Sequence, residues 1–191
     1  MYRALSVLRK LLKIVRYNII LSMSGNLIVS GLSAPKIFDK ADNTRKFICG
    51  IPEIDDFIQK EALIFQDECL GVTYLFKFKG ELVGFATLSM ADLKRGKMHT
   101  KDRLNQPIEN YPALLIGQLA VCSKYQNNDV GTYICDFCLD RALKFSDKVG
   151  CRFLVVNALA SAIDFYEKYG FILLPKQEGR EQKVMFLDIT K

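Results

Sequence analysis

Histidine is nearly absent: His99 is the only one in 191 residues, so an imidazole acid or base would have to be that residue. No run of about 18 uncharged apolar residues occurs, which excludes a helical membrane span from the pattern. Internal repeats and low-complexity segments are missing as well. A convincing secretory signal is lacking, because Arg16 interrupts the apolar part of the N-terminal stretch. The six cysteines therefore read as reduced thiols, not a disulfide framework. Cys135 and Cys138 form a CxxC with no second pair, inside a helical pattern, and read as core residues before metal or redox groups. Acidic residues are absent before Ser22, where Arg3, Arg9, Lys10, Lys13 and Arg16 lie. Those five account for most of the net charge of +6, so the remaining chain is not basic enough to imply nucleic-acid binding from charge alone.

What is present is an ordinary globular balance, half hydrophobic and one quarter charged. Residues 1–22 carry Leu5, Leu8, Leu12, Val15 and Ile19 near helical spacing, as a basic amphipathic helix. Three readings of it stand: a membrane-surface or partner helix, a transit-like peptide, or a dispensable extension upstream of a start at Met23. Residues 23–191 read as one domain. Pro52 opens a helix with Ile54, Phe57, Ile58, Ala62 and Phe65 on one face, to about Gln66. Val72 to Phe78 alternates as a strand, Lys79 and Gly80 turn, and Leu82 to Met90 returns. Residues 91–110 read as a polar loop, either solvated or a basic flap facing substrate through Lys94, Arg95, Lys97, Lys101 and Arg103.

The stretch from Leu115 to Phe171 organises the rest. Leu114 to Val121 is a buried strand, and Val130 to about Gly150 is a helix. Cys151 to Val156 is a second buried strand, and Ala160 to Tyr169 a helix closed by Gly170. Phe171 to Leu174 and Lys183 to Ile189 supply the last strands around a turn at 177–182. The fold class is α/β, a mixed α+β arrangement on one sheet. A strand entering a polar loop and then a helix points several backbone N–H groups at one spot, and the helix dipole adds positive potential there. Here that loop runs Gln126, Asn127, Asn128, Asp129, Val130, Gly131, Thr132.

Leu119-Ala120-Val121, Tyr125-Gln126, Val130-Gly131 and Phe165-Tyr166-Glu167-Lys168-Tyr169-Gly170-Phe171 resemble the GNAT acyl-CoA N-acyltransferases. Phe47 to Gly50, Ile54 to Phe57 and Phe85 to Leu88 are similar to the acetyltransferase toxins of toxin–antitoxin modules, which acetylate aminoacyl-tRNA. The resemblance implies a GNAT fold, acetyl-CoA as donor, no metal, and a cytoplasmic setting. It implies that the Leu119 to Val121 backbone pairs with pantetheine, with the Val121 amide at the thioester oxyanion. The amides from Gln126 to Gly131, with Thr132, would cradle the pyrophosphate, and Tyr166 would protonate the departing thiolate. A free thiol and a free phenol titrate near pH values of about 8.5 and about 10, so that transfer is nearly balanced. Candidate partners are acetyl-CoA, tRNA, an antitoxin-type protein and a second copy of the chain.

Two departures from the family pattern stand out. Asp129 replaces the loop glycine and Asn127 a position often glycine, and Asn128 stands where a basic residue is common. Asn and Asp tolerate left-handed backbone best after Gly, so the loop shape is expected to survive. The carboxylate is expected to weaken CoA binding. Leu159 occupies the usual pantetheine asparagine position; Asn157 is nearby, though not the matched position, and is kept as a candidate cofactor-binding residue. The alternative is a degenerate GNAT fold that binds a protein partner without turnover.

Overall fold

The computed structural model describes residues 27–190, so the amphipathic segment and the start at Met23 lie outside the described residues. Seven strands form one mixed sheet in the order β1-β2-β3-β4-β5-β7-β6. They are β1 (Lys36–Ile37), β2 (Val72–Phe78), β3 (Glu81–Lys94), β4 (Asn110–Val121), β5 (Phe153–Leu159), β6 (Ile172–Leu173) and β7 (Gln182–Asp188). The chain divides into two compact units: residues up to Ser89 with Gly117–Cys138, and Met90–Ile116 with the chain from Leu139 onward.

The first unit opens with a short helix α1 (Leu27–Ser30). Gly50, at φ +94°, reverses the chain, and Ile51 is extended ahead of Pro52, where a missing N–H costs nothing. Helix α2 (Pro52–Asp56) passes through a π-helical turn (Phe57–Glu61) into α3 (Ala62–Asp67). Of the expected face, Phe57, Ile58 and Ala62 are buried and Ile54 half-buried, whereas Phe65 is exposed and meets Phe57 only edge-on. Phe57 stacks on Phe85, and Phe47 meets Phe85 edge-on at 5.3 Å between centroids. Gln66 ties the helix end down by donating to the Phe38 carbonyl and accepting from the Thr73 amide.

The expected hairpin is present. Lys79 and Gly80 both have positive φ, at 50° and 81°, the backbone a two-residue turn between twisted strands prefers. Both faces of β2 are covered in part: Thr73 and Leu75 are buried together with Phe76. Helix α4 (Val130–Lys148) begins in this unit, and its Phe137 and Tyr133 pack against Phe76 at 5.3 and 5.9 Å.

In the second unit, β4 and β5 pair in parallel over Ala113–Ile116 and Phe153–Val156. β7 is antiparallel to β5 along its whole length, and to the two-residue β6. Tyr111, Phe153 and Phe186 form the core, with centroid separations of 5.5 and 5.7 Å in series. Helix α4 ends before Gly150, whose φ of +86° accompanies an amide bond to the Phe145 carbonyl.

The uniform loop expected at 91–110 is corrected. β3 continues to Lys94, because Leu93 is buried between exposed Asp92 and Lys94 and extends the alternation. Short 3-10 turns at Arg95–Lys97 and Thr100–Asp102 follow, and β4 starts at Asn110, not Leu114. The last third is corrected too. Ala160–Ala162 is a 3-10 turn, the helix α5 proper is Ile163–Tyr169, and β5 starts at Phe153 and reaches Leu159.

Candidate functional site

The expected anion loop lies in the first unit, between β4 and α4. A 3-10 turn (Ser123–Tyr125) leaves the strand, and the segment at Ile48 and Cys49 is hydrogen-bonded to it and to Gln126. The Ser123 amide and hydroxyl both donate to the Ile48 carbonyl, at 2.8 and 3.1 Å. Gln126 sends its amide nitrogen to the carbonyls of Cys49 and Val121, at 2.9 and 3.1 Å. Asn128 donates back to the Gln126 carbonyl at 2.8 Å. The side chains of Gln126 and Asn128 therefore build the turn.

Asn127 and Asp129 stand at φ +61° and +59°. The left-handed conformation that glycine would supply is thus adopted by the two residue types best able to replace it. Tyr133 is bonded from its amide to the Asp129 carbonyl, which makes Asp129 the residue ahead of the helix. Helix geometry leaves the first amides of such a helix, at Val130, Gly131 and Thr132, without intrahelical acceptors. Nineteen residues of aligned peptide dipoles stand behind them. The Asp129 side chain is exposed, while Val130 is buried and anchors the helix start.

The adjacent strand end is held as firmly. The Cys122 amide bonds to the Val83 carbonyl at 2.8 Å. Gly84 faces Ala120 so closely that a methyl group there would lie 2.9 Å from the Ala120 carbonyl oxygen. Ala120 is buried, whereas Leu119 and Val121 on either side of it are half-buried.

Tyr166 and Asn157 lie in the second unit. Tyr166 is buried to 5 % exposure on α5, with ring contacts to Phe165 and Phe171 at 5.1 and 5.3 Å. The helix stops at once: Gly170 takes φ +111°, and the amides of Gly170 and Phe171 both reach the Tyr166 carbonyl. Only a residue without Cβ adopts that angle readily. Tyr166 is thereby held through its backbone and through edge contacts of its ring. Asn157 is exposed on β5, opposite Val184 of β7.

The buried thiols of Cys49, Cys135 and Cys138 are poor nucleophiles. Burial, with Asp55 next, pushes the Cys49 thiol up to about 11. Burial above all raises Cys135 and Cys138 well above the ordinary cysteine range, so both remain protonated in the core of α4. Among the described residues, no group of three or more His, Cys, Asp or Glu stands where it could hold a metal ion. None of their helices is long and apolar enough to cross a membrane.

Residues 39–171 match the Acetyltransferase (GNAT) family. The chain belongs to that family. Membership makes it an acetyltransferase. A similar curated protein is the "tRNA-acetylating toxin" of Mycobacterium tuberculosis, 29% identical over 148 residues, covering 77% of this chain and 89% of the relative. Among solved structures, AtaT complexed with acetyl-methionyl-tRNAfMet is similar, with a TM-score of 0.74 and 21% identity over 82% of this chain and 94% of that one. A mutant AtaT bound to acetyl-CoA and the C-terminus of the antitoxin AtaR has a TM-score of 0.69 and 21% identity, over 83% and 94% of the two chains. This likeness is one of fold.

Two features of this GNAT chain escaped the sequence. The carbonyl-bridging role of Gln126 joins positions 77 residues apart, and a lone glutamine in a polar turn gives no sign of it. Lys176 and Arg180 are brought beside residues 97–103 only by the fold; in the sequence their one signal is a basic residue at each end of a short turn.

Proposed function

We propose that the chain is an acetyl-CoA-dependent N-acetyltransferase whose acceptor is the α-amino group of aminoacyl-tRNA. The similarity to a tRNA-acetylating toxin over most of both chains carries this reading. A fold shared with AtaT, solved with acetylated methionyl-tRNA, supports it. The neutral amine attacks the acetyl carbonyl, the new C–N bond forms and the C–S bond breaks. The amine gives its proton to water, and Tyr166 protonates the CoA thiolate. Backbone from Leu119 to Val121 takes the pantetheine arm, with the Val121 amide at the oxyanion. The Gln126 to Thr132 turn takes the pyrophosphate on helix-terminal amides. Asn157 serves the pantetheine side in place of the asparagine that Leu159 displaces. Residues 23–191 act as one acetyltransferase domain with a separable extension before it. A tRNA acceptor places the protein in the cytoplasm, where an antitoxin-type partner would restrain it.

The test is direct. Acetyl-CoA is titrated by calorimetry, and acetyl transfer to methionyl-tRNA is then followed. Binding and transfer are expected; no binding at millimolar acetyl-CoA would sink the enzyme and leave the partner-binding reading motivated by Asp129. A second expectation concerns that carboxylate. Asp129→Asn should tighten acetyl-CoA by about 3- to 10-fold at low salt, because a negative charge beside the pyrophosphate is removed. The gain should shrink in added salt. Unchanged affinity at low salt would mean that the carboxylate points away from the phosphates.

A further inference from the structure

The second unit holds an open cavity of about 390 Å³ between two segments far apart in sequence, 96–103 and 174–184. Lys97, His99, Arg103, Lys176 and Arg180 line it, and no aspartate or glutamate does. Glu178 and Glu181 sit on the same turn but outside the lining. Four permanent cations and an imidazole around one concavity raise the potential there far more than the near-neutral body would suggest.

The walls are built structures. Gln177 is buried and uses its whole amide: it donates to the Leu174 and Val184 carbonyls and accepts from the Val184 amide at 2.7 Å. That holds the turn presenting Lys176 and Arg180. On the facing wall, Arg103 donates through Nε to the Met98 carbonyl at 3.2 Å, and Met98 is buried. The Leu104 amide donates to the Tyr111 hydroxyl beneath it at 3.1 Å. Lys176 adopts φ +57°, an uncommon conformation for a residue other than glycine.

We infer that this cavity binds phosphodiester groups of the acceptor RNA, apart from the turn assigned to acetyl-CoA. The inference rests on the aminoacyl-tRNA reading above. Guanidinium groups grip phosphate with paired donors and lysines add point charge. Several such cations converging on one concavity match a chain of closely spaced phosphates.

The probe is a labelled RNA hairpin ending in CCA, bound to the full chain across a series of salt concentrations. The variant combining Lys97→Ala, Lys176→Gly and Arg180→Ala should bind it at least about 10-fold more weakly at about 0.1 M salt. The slope of log affinity against log salt should fall by about two, as expected when phosphate contacts are lost. Acetyl-CoA affinity should stay unchanged. Lys176→Gly alone separates charge from shape, since glycine accepts the left-handed backbone; it should weaken RNA binding without lowering Tm. If the wild type acetylates methionyl-tRNA but the variants keep its RNA affinity and salt slope, the cavity assignment is overturned and the acceptor reading stands. If the wild type neither binds nor acetylates RNA, both fall together.

Discussion

Tyr166→Phe is expected to lower kcat for acetyl transfer by about 100-fold or more, the scale of a lost general acid. Acetyl-CoA affinity should change little. The substitution removes one oxygen and keeps the ring that contacts Phe165 and Phe171. It also leaves intact the two amide bonds to the Tyr166 carbonyl that end the helix. A packing role would therefore survive the change, whereas proton donation would not. A more demanding readout uses the leaving group. An acetyl thioester of a more acidic thiol needs less help to depart, so it should recover much of the lost rate in the variant and gain little in the wild type. Equal losses for both donors would assign Tyr166 a purely structural task.

Gly84→Ala is expected to destabilise the protein by about 2–3 kcal/mol, through overpacking of a closed interior. Its new methyl group would lie 2.6 Å from Ile134 Cδ1 and 2.9 Å from the Ala120 carbonyl oxygen. The isoleucine tip can rotate away; the carbonyl belongs to β4 and cannot move without the strand. Thermal unfolding should shift down by about 5–10 °C for a chain of this size. Acetyl-CoA binding should weaken as well, because Ala120 lies between the two residues assigned to the pantetheine arm. Gly117→Ala on the same strand is the control. Its methyl would meet the Thr87 carbonyl at an ordinary 3.7 Å, so stability should scarcely change. If the two variants unfold at the same temperature, the close approach of β3 to Ala120 is not a constraint.

The parts of the fold that could be read from residue order are those whose causes are local. Alternation in β2 and the Lys79–Gly80 turn fixed a hairpin, and Gly170 marked the end of α5. Local pattern failed where one residue carried the signal. Leu93 alone extends β3 past Met90, and among Asp92, Lys94 and Arg95 it was outvoted. The π-helical turn at Phe57–Glu61 was invisible for another reason: the apolar spacing still fitted a helix while one turn widened. The shape of the 126–132 loop was legible because it depends on backbone preference, which Asn127 and Asp129 satisfy. The clamp formed by Gln126, and the cavity between 96–103 and 174–184, depend on residues brought together by the fold, which no window of sequence contains.

Asn127 and Asp129 carry one more consequence, thermodynamic in kind. A glycine loop roams through both halves of backbone space before the donor arrives, and binding must then freeze it. Holding one residue in one basin costs about 1–2 kcal/mol of conformational free energy, and glycine loses the most. A turn made of asparagine and aspartate begins from fewer conformers, so its ordering is largely done when the chain folds and not at each catalytic cycle. Asp129→Gly and Asp129→Asn remove the same charge, yet the glycine form should bind acetyl-CoA about 2- to 5-fold less tightly than the asparagine form. Calorimetry should place that gap in a more unfavourable binding entropy. Matching entropies for the two would mean that the loop is already rigid for other reasons, the Gln126 and Asn128 bonds foremost among them.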